Sequence, residues 1–200
     1  MTPTALLIMD VQQGIVERFA GDDGHLDRLA TAIAAARGAG VAVIYVTVAF
    51  RPGYPEVSER NKSFSAIAGT GRFTDGDPGA RIPAVVAPAP GEVTVTKRRV
   101  SAFAGSDLEV LLRARGTSHL VLAGIATSGV VLSTLRQAAD LDFQLTALAD
   151  GCLDADREVH EVLLGKVFPR QATVTTIADW TARLHHPAPS ADDPPSADDH

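Results

Sequence analysis

Six short apolar runs, rich in β-branched residues, recur along this 200-residue chain, with helix-length amphipathic segments between most of them. Ala5–Met9 shows no polar alternation, as befits a strand covered on both faces. His25–Arg37 sets Leu26, Leu29, Ile33 and Ala36 at helical spacing and is stopped by Gly38-Ala39-Gly40. Val41–Val48 reads as a second strand, and Val93–Thr96, His119–Ala123, Phe143–Ala149 and Thr173–Thr175 supply the others. Helices are predicted over Ser106–Ala114 with Ser106 as cap, Ser128–Ala139, Asp154–Gly165 and Ala178–Leu184. Only 49–90, rich in Gly and Pro, breaks the rhythm, and a segment that long either is functional or carries short elements of its own. Repetition of this kind predicts an α/β fold: three layers, α/β/α, around a mostly parallel six-stranded sheet of Rossmann-like form.

Residues 1–186 read as one domain with no long-period repeat, followed by the acidic Pro/Ala/Ser/Asp segment 187–200. PAPSADDPPSADDH offers nothing large to bury and cannot repay the entropy of ordering, so a disordered tail is expected there. It holds four of the 24 acidic residues and no Lys or Arg, which leaves 20 acids against 18 bases in the domain. A nearly neutral domain with few aromatics is no candidate for wrapping polyanions or stacking bases, so no nucleic-acid partner is expected. The lone cysteine, Cys152, excludes an internal disulfide and any zinc site built on two thiolates. No apolar run nears the roughly 18 residues of a membrane span, and no basic region precedes Asp10, so a cytoplasmic chain without a membrane partner is expected.

Ligands of parallel α/β sheets bind beyond the carboxyl ends of the strands. Here those ends fall at Asp10, Lys97, Gly124-Ile125-Ala126-Thr127 and Asp150-Gly151-Cys152. No GxGxxG follows the first strand and no GxxxxGK[ST] occurs, so a nucleotide site is not expected. Asp10 and Lys97, at what read as neighbouring strand ends, would form either an acid–base pair or a structural ion pair. Spacing alone leaves both open.

Four ordered blocks carry a more specific signal: ALLIMDVQQG at 5–14, TKRRVSAFAGSDLEVLL at 96–112, LVLAGIATSGVVLSTLRQAADLDF at 120–143 and LTALADGCLDADREVH at 145–160. In these the chain resembles the isochorismatase-like (cysteine) hydrolases over most of residues 4–180. The resemblance implies a hydrolase of a small molecule, and Asp10 and Lys97 match the family's catalytic aspartate and lysine. The family's cysteine nucleophile belongs six residues after Gly124, where this chain has Val130. A valine offers no nucleophile and no titratable proton, so the covalent mechanism lacks its central atom.

Replacements for that nucleophile are limited. Cys152 follows the next strand, and an amidase using it is one alternative; a buried structural thiol is the other. Ser128 and Thr127 flank a helix start, where hydroxyls ordinarily cap. True isochorismatases, which cleave a vinyl ether, resemble this chain in lacking the cysteine, and that chemistry asks only for general acid catalysis by a carboxyl of raised pKa. The 49–80 segment departs from their substrate-binding pattern, so the chemistry is expected to carry over and the substrate is not. A catalytically silent binding or assembly protein on the same fold is the remaining alternative.

The resemblance further implies a cis Ile125–Ala126 peptide bond, an oxyanion hole built from the amides at 126 and 130, and a homo-oligomer. The metal-holding Asp and His residues of the family's nicotinamidases have no counterpart, since 41–74 contains neither residue type, and no metal or cofactor is expected. Gln12, Phe103, Thr127, Ser128 and Arg51 are candidates for the pocket wall, as is Phe64, unless the two phenylalanines pack in the core. Arg51, Arg60, Lys62, Arg72, Arg98 and Arg99 would either form a basic rim for an anionic substrate or lie on a solvated loop face. His160 and His185-His186 read as structural or solvated, and Asp154 and Asp156 as caps of the helix that follows them.

Overall fold

The computed structural model describes residues 2–19, 24–74 and 76–185. Its strands are β1 (Thr4–Met9), β2 (Ala42–Val48), β3 (Val93–Lys97), β4 (His119–Ile125), β5 (Gln144–Leu153) and β6 (Thr173–Thr175). They form one sheet in the order β3-β2-β1-β4-β5-β6, with every pairing parallel. Strand order reverses between β1 and β4, which makes the carboxyl ends of these two strands the natural place for a site. The expected tail at 187–200 lies outside the described residues, as does His186.

The helices are α1 (Gln13–Val16), α2 (His25–Gly38), α3 (Lys62–Ala68), α4 (Leu108–Ala114), α5 (Leu132–Asp140), α6 (Arg157–Val162) and α7 (Ile177–His185). Alternation along each strand divides the core into two layers. Leu7, Met9, Val46 and Val95 face Leu108 and Leu112 of α4 and Leu135 and Ala138 of α5. Leu6, Ile8, Val43 and Tyr45 face Leu29, Ala32 and Ile33 of α2 and Ile177 and Trp180 of α7. A third cluster, Val48, Phe50, Phe64 and Phe73, sits beneath the long connection between β2 and β3. That connection is therefore no plain loop: it contains α3 and turns of 3-10 helix at Pro78–Ala80 and Ala84–Val86.

Two local readings are corrected. Helix α4 starts at Leu108 rather than Ser106; the Ser106 hydroxyl lies outside it, accepting from the Leu108 N–H (3.2 Å) and donating to the Ala102 carbonyl (2.6 Å). Strand β5 continues to Leu153, because its pairing with β4 jumps from Leu122–Ala147 to Gly124–Cys152 across a bulge. Cys152 consequently lies within the sheet and not on its rim.

Candidate active site

Asp10 follows β1 directly and is 6% exposed; Lys97 ends β3 and is 2% exposed. Lys97 Nζ lies 2.9 Å from Asp10 Oδ2 and donates to the Arg99 carbonyl, also at 2.9 Å. Their strands are not neighbours, as the sequence had suggested, since β2 runs between them. Strict alternation would also send Asp10 to the α2 side with Leu6 and Ile8, opposite Lys97, which follows Val95 on the α4 side. Asp10 takes a left-handed φ of 55°, a conformation Asp tolerates better than most residues, and this ends the extended run so that the carboxyl meets the ammonium.

Burial pushes the Asp10 carboxyl above its ordinary range, against the opposing pull of Lys97. Its second oxygen, Oδ1, is buried with no hydrogen-bond partner among the described residues. Among the described residues Lys97 engages Oδ2 alone, which leaves Oδ1 as the oxygen open to a proton.

The segment after β4 leaves the sheet next to the end of β1. Gly124 pairs with Met9, and a Cβ at Gly124 would lie 2.1 Å from the Met9 carbonyl oxygen. Only glycine lets β4 pass so close to the backbone that delivers Asp10. The Ile125–Ala126 bond is cis. A single π-helical turn at Thr127–Val131, kinked at Gly129, then leads into α5, with the Ala126 carbonyl accepting from the N–H groups of Gly129 (3.1 Å) and Val131 (3.3 Å). Val130 is buried in the same cluster as Ala102 and Phe103.

Other residues singled out in the sequence have different duties. Gln12 is wholly buried and fully engaged with backbone: its amide nitrogen donates to the carbonyls of Val48 (3.0 Å) and Ala80 (2.9 Å), and its oxygen accepts from the Val48 N–H (2.8 Å). It is a clamp between the ends of β1 and β2 rather than a pocket wall. Phe103 packs in the core against Phe143, and Phe64 against Phe50. Arg51 has a 64% exposed side chain paired with Glu56 at 2.5 Å. Arg98 bonds the Ala49 carbonyl, Arg99 donates to the Glu56 carbonyl (2.9 Å), and Arg72 donates to the Gly14 carbonyl (3.1 Å). These three guanidiniums stitch loops together.

Cys152 is 1% exposed, 4.0 Å from the Leu122 carbonyl oxygen, and burial pushes its thiol up to about 12. Such a thiol supplies almost no thiolate at neutral pH. Ser128 is exposed, and it is the Ser128 N–H that is capped, by Asp154 Oδ2 at 2.6 Å; the capping bond of α6 itself comes from Asp156, which accepts from Val159 N–H at 3.1 Å. Thr127 is fully buried and shares a 2.8 Å hydrogen bond with His160 Nδ1. The sequence carried no signal for these contacts between separate elements. Among the described residues, no three His, Cys, Asp or Glu side chains converge in a metal-holding group.

A buried carboxyl–ammonium pair at the carboxyl ends of a doubly wound sheet, without a phosphate-binding loop, places the chain among α/β proteins whose chemistry is carried by strand-end side chains. Residues 4–179 match the isochorismatase domain, and the chain belongs to the isochorismatase family of hydrolases. It is 31% identical to the isochorismatase family protein YecD of Escherichia coli O157:H7, over 88% of this chain and 93% of that one. It is 34% identical to the ureidoacrylate amidohydrolase RutB of Variovorax paradoxus, over 74% and 67%. An isochorismatase family protein of Desulfovibrio vulgaris superposes with a TM-score of 0.82 at 27% identity, covering 92% of this chain and all (100%) of that one.

Proposed function

We propose that this chain hydrolyses a small molecule without a covalent enzyme intermediate, at an enol-ether C–O bond or a C–N bond. Asp10 is the general acid and Lys97 its electrostatic partner. The observation that carries this reading is the Asp10 carboxyl itself: burial holds it toward its neutral form, one oxygen is engaged by Lys97 and the other has no hydrogen-bond partner among the described residues.

For an enol ether, the Oδ1 proton passes to the terminal carbon of the double bond, leaving an oxocarbenium ion. Water adds to it and returns a proton to the Asp10 carboxylate. The resulting hemiketal then collapses to a carbonyl compound and an alcohol, so one water is consumed and the acid is regenerated. Lys97 stabilises the transient carboxylate, and no step requires a nucleophile at Val130. Relatives named as amidohydrolases of ureidoacrylate and maleamate extend the candidate bonds to C–N. The buried thiol of Cys152, with its pKa near 12, counts against an amidase that uses it.

The test is a screen of the full chain against enol ethers, amides, ureido compounds and lactams, with intact-mass spectra recorded during turnover. Turnover that needs Asp10, survives Cys152→Ala and leaves no covalent adduct is the expected result. A covalent adduct, or loss of activity in Cys152→Ala alone, overturns it. Binding without turnover in any class identifies a silent scaffold instead. Assembly as a homo-oligomer in solution is part of the same proposal and is read by light scattering.

A further inference from the structure

Helix α6 buries none of its side chains completely, so it adds little to the core. Its inward contacts go to the loop that leaves β4 beside Asp10. Thr127 Oγ1 and His160 Nδ1 share a hydrogen bond at 2.8 Å, and Thr127 is entirely enclosed. At the next residue, Ser128 N–H donates to Asp154 Oδ2 at 2.6 Å. Asp154 Oδ1 in turn accepts from the Asp156 N–H (3.3 Å), and Asp156 caps α6, so the carboxylate is anchored to the helix it precedes. Consecutive residues of the 126–130 segment are therefore braced from one neighbouring element, between a cis bond at Ile125–Ala126 and a kink at Gly129.

We propose that His160 and Asp154 are positioning residues: acting through Thr127 and the Ser128 amide, they fix segment 126–130 in the form it presents beside Asp10. Neither touches the reacting atoms. The relevance of this brace to turnover rests on the reading of Asp10 given above, whereas the brace itself can be measured without a substrate.

The local bonds to follow are those from the Gly129 and Val131 N–H groups to the Ala126 carbonyl. Amide exchange in the full chain, followed by NMR, reads their opening directly. His160→Ala and Thr127→Val, each removing one partner of a single hydrogen bond, are expected to speed exchange at Gly129 and Val131 by about fivefold while β1 amides stay unchanged. Asn at 160 places a polar atom where Nδ1 stood, so His160→Asn should restore slow exchange. The His160→Ala/Thr127→Val double variant should exchange no faster than either single one. Asp154→Ala should loosen the same amides independently, and Asp154→Asn, which keeps an acceptor, should not. Unchanged exchange in His160→Ala, failure of His160→Asn to rescue, or additive effects in the double variant would overturn the proposal. Because these outcomes do not depend on turnover, a failed substrate screen and a failed brace are distinguishable.

Discussion

Lys97 Nζ reaches Asp10 Oδ2 at 2.9 Å although a complete strand, β2, separates the two strands that deliver them. Two strand spacings are about 10 Å, so the contact depends on the long lysine side chain reaching across β2. Lys97 pairs with Val48, the last residue of β2, and the Val48 amide is itself held by Gln12. The pair therefore meets at the level of the last residues of β2, on the face of the sheet that carries Val46 and Val95.

If the carboxyl of that pair is the proton donor, Asp10→Asn removes the proton and leaves the shape. The value of kcat/KM should fall by about 10²–10⁴-fold. Cys152→Ala should stay within about twofold of the parent, as expected for a small buried hydrophobe. Steady-state kinetics on the substrate identified by the screen compares the two.

Burial of Asp10 fixes the sign of a pH effect on stability. Below the ordinary carboxylate pKa, the folded and unfolded chains both hold this proton and Asp10 contributes no slope. Between that value and the raised one, the unfolded chain has lost the proton while the folded chain keeps it, so stability falls as pH rises. Urea midpoints measured from about pH 4 to about pH 8 should show this decline in the parent and a shallower one in Asp10→Asn. Activity should fall over the same rise in pH as the acid form is lost. Parallel stability profiles would contradict the assignment.

Lys97→Met removes the ammonium and keeps much of its volume. An ionised Asp10 would then be buried alone, and breaking such a pair costs about 3–5 kcal/mol. The loss should be largest at high pH and shrink in acid, where Asp10 is neutral and needs no counter-charge. Thermal melts at both ends of the range test this, and a pH-independent loss would assign Lys97 a packing role only.

Gln12→Leu tests the clamp beneath the pair. It would leave the Val48 N–H and the Val48 and Ala80 carbonyls without their present partner, at a cost of about 2–3 kcal/mol. Denaturant unfolding should show the loss; a change below about 0.5 kcal/mol would mean that water replaces the side chain freely.

Gly124→Ala places a methyl group 2.1 Å from the Met9 carbonyl oxygen, a backbone atom that cannot swing away. A loss of about 3 kcal/mol or more is expected. Gly38→Ala is the matched control: a Cβ there meets nothing within 4 Å inside α2, so it should gain about 0.5–1 kcal/mol. Calorimetry on the two variants should move Tm in opposite directions.

The strands and their class were legible because a buried parallel strand needs an unbroken apolar run and its crossover helix needs a 3.6-residue period. Both requirements are local. For the same reason His25–Arg37 matched α2 almost to the residue, and Val41–Val48 matched β2. The blocks around Asp10, Lys97 and Gly124 were recognisable as family sequence. The partners of the polar residues were not legible. Asp154 looked like a cap for its own helix and caps Ser128 instead, Gln12 looked like a pocket residue and holds β2, and Arg98 and Arg99, open between a rim and a solvated loop face, bind carbonyls. A cap or a clamp needs only an acceptor of the right type nearby, and chemistry of that kind is common to many residues along a chain.

The amino-acid sequence by itself therefore determined the layered α/β architecture, the family and the identity of the two strand-end residues, since periodicity and side-chain chemistry are written residue by residue. The tertiary structure decided that Asp10 and Lys97 meet across β2, that a left-handed turn at Asp10 carries its carboxyl to the lysine's side of the sheet, and that Cys152 is sealed inside β5. Those outcomes depend on strand order, on register and on a bulge. Each is set by the packing of segments far apart in the chain, and none has a local signature.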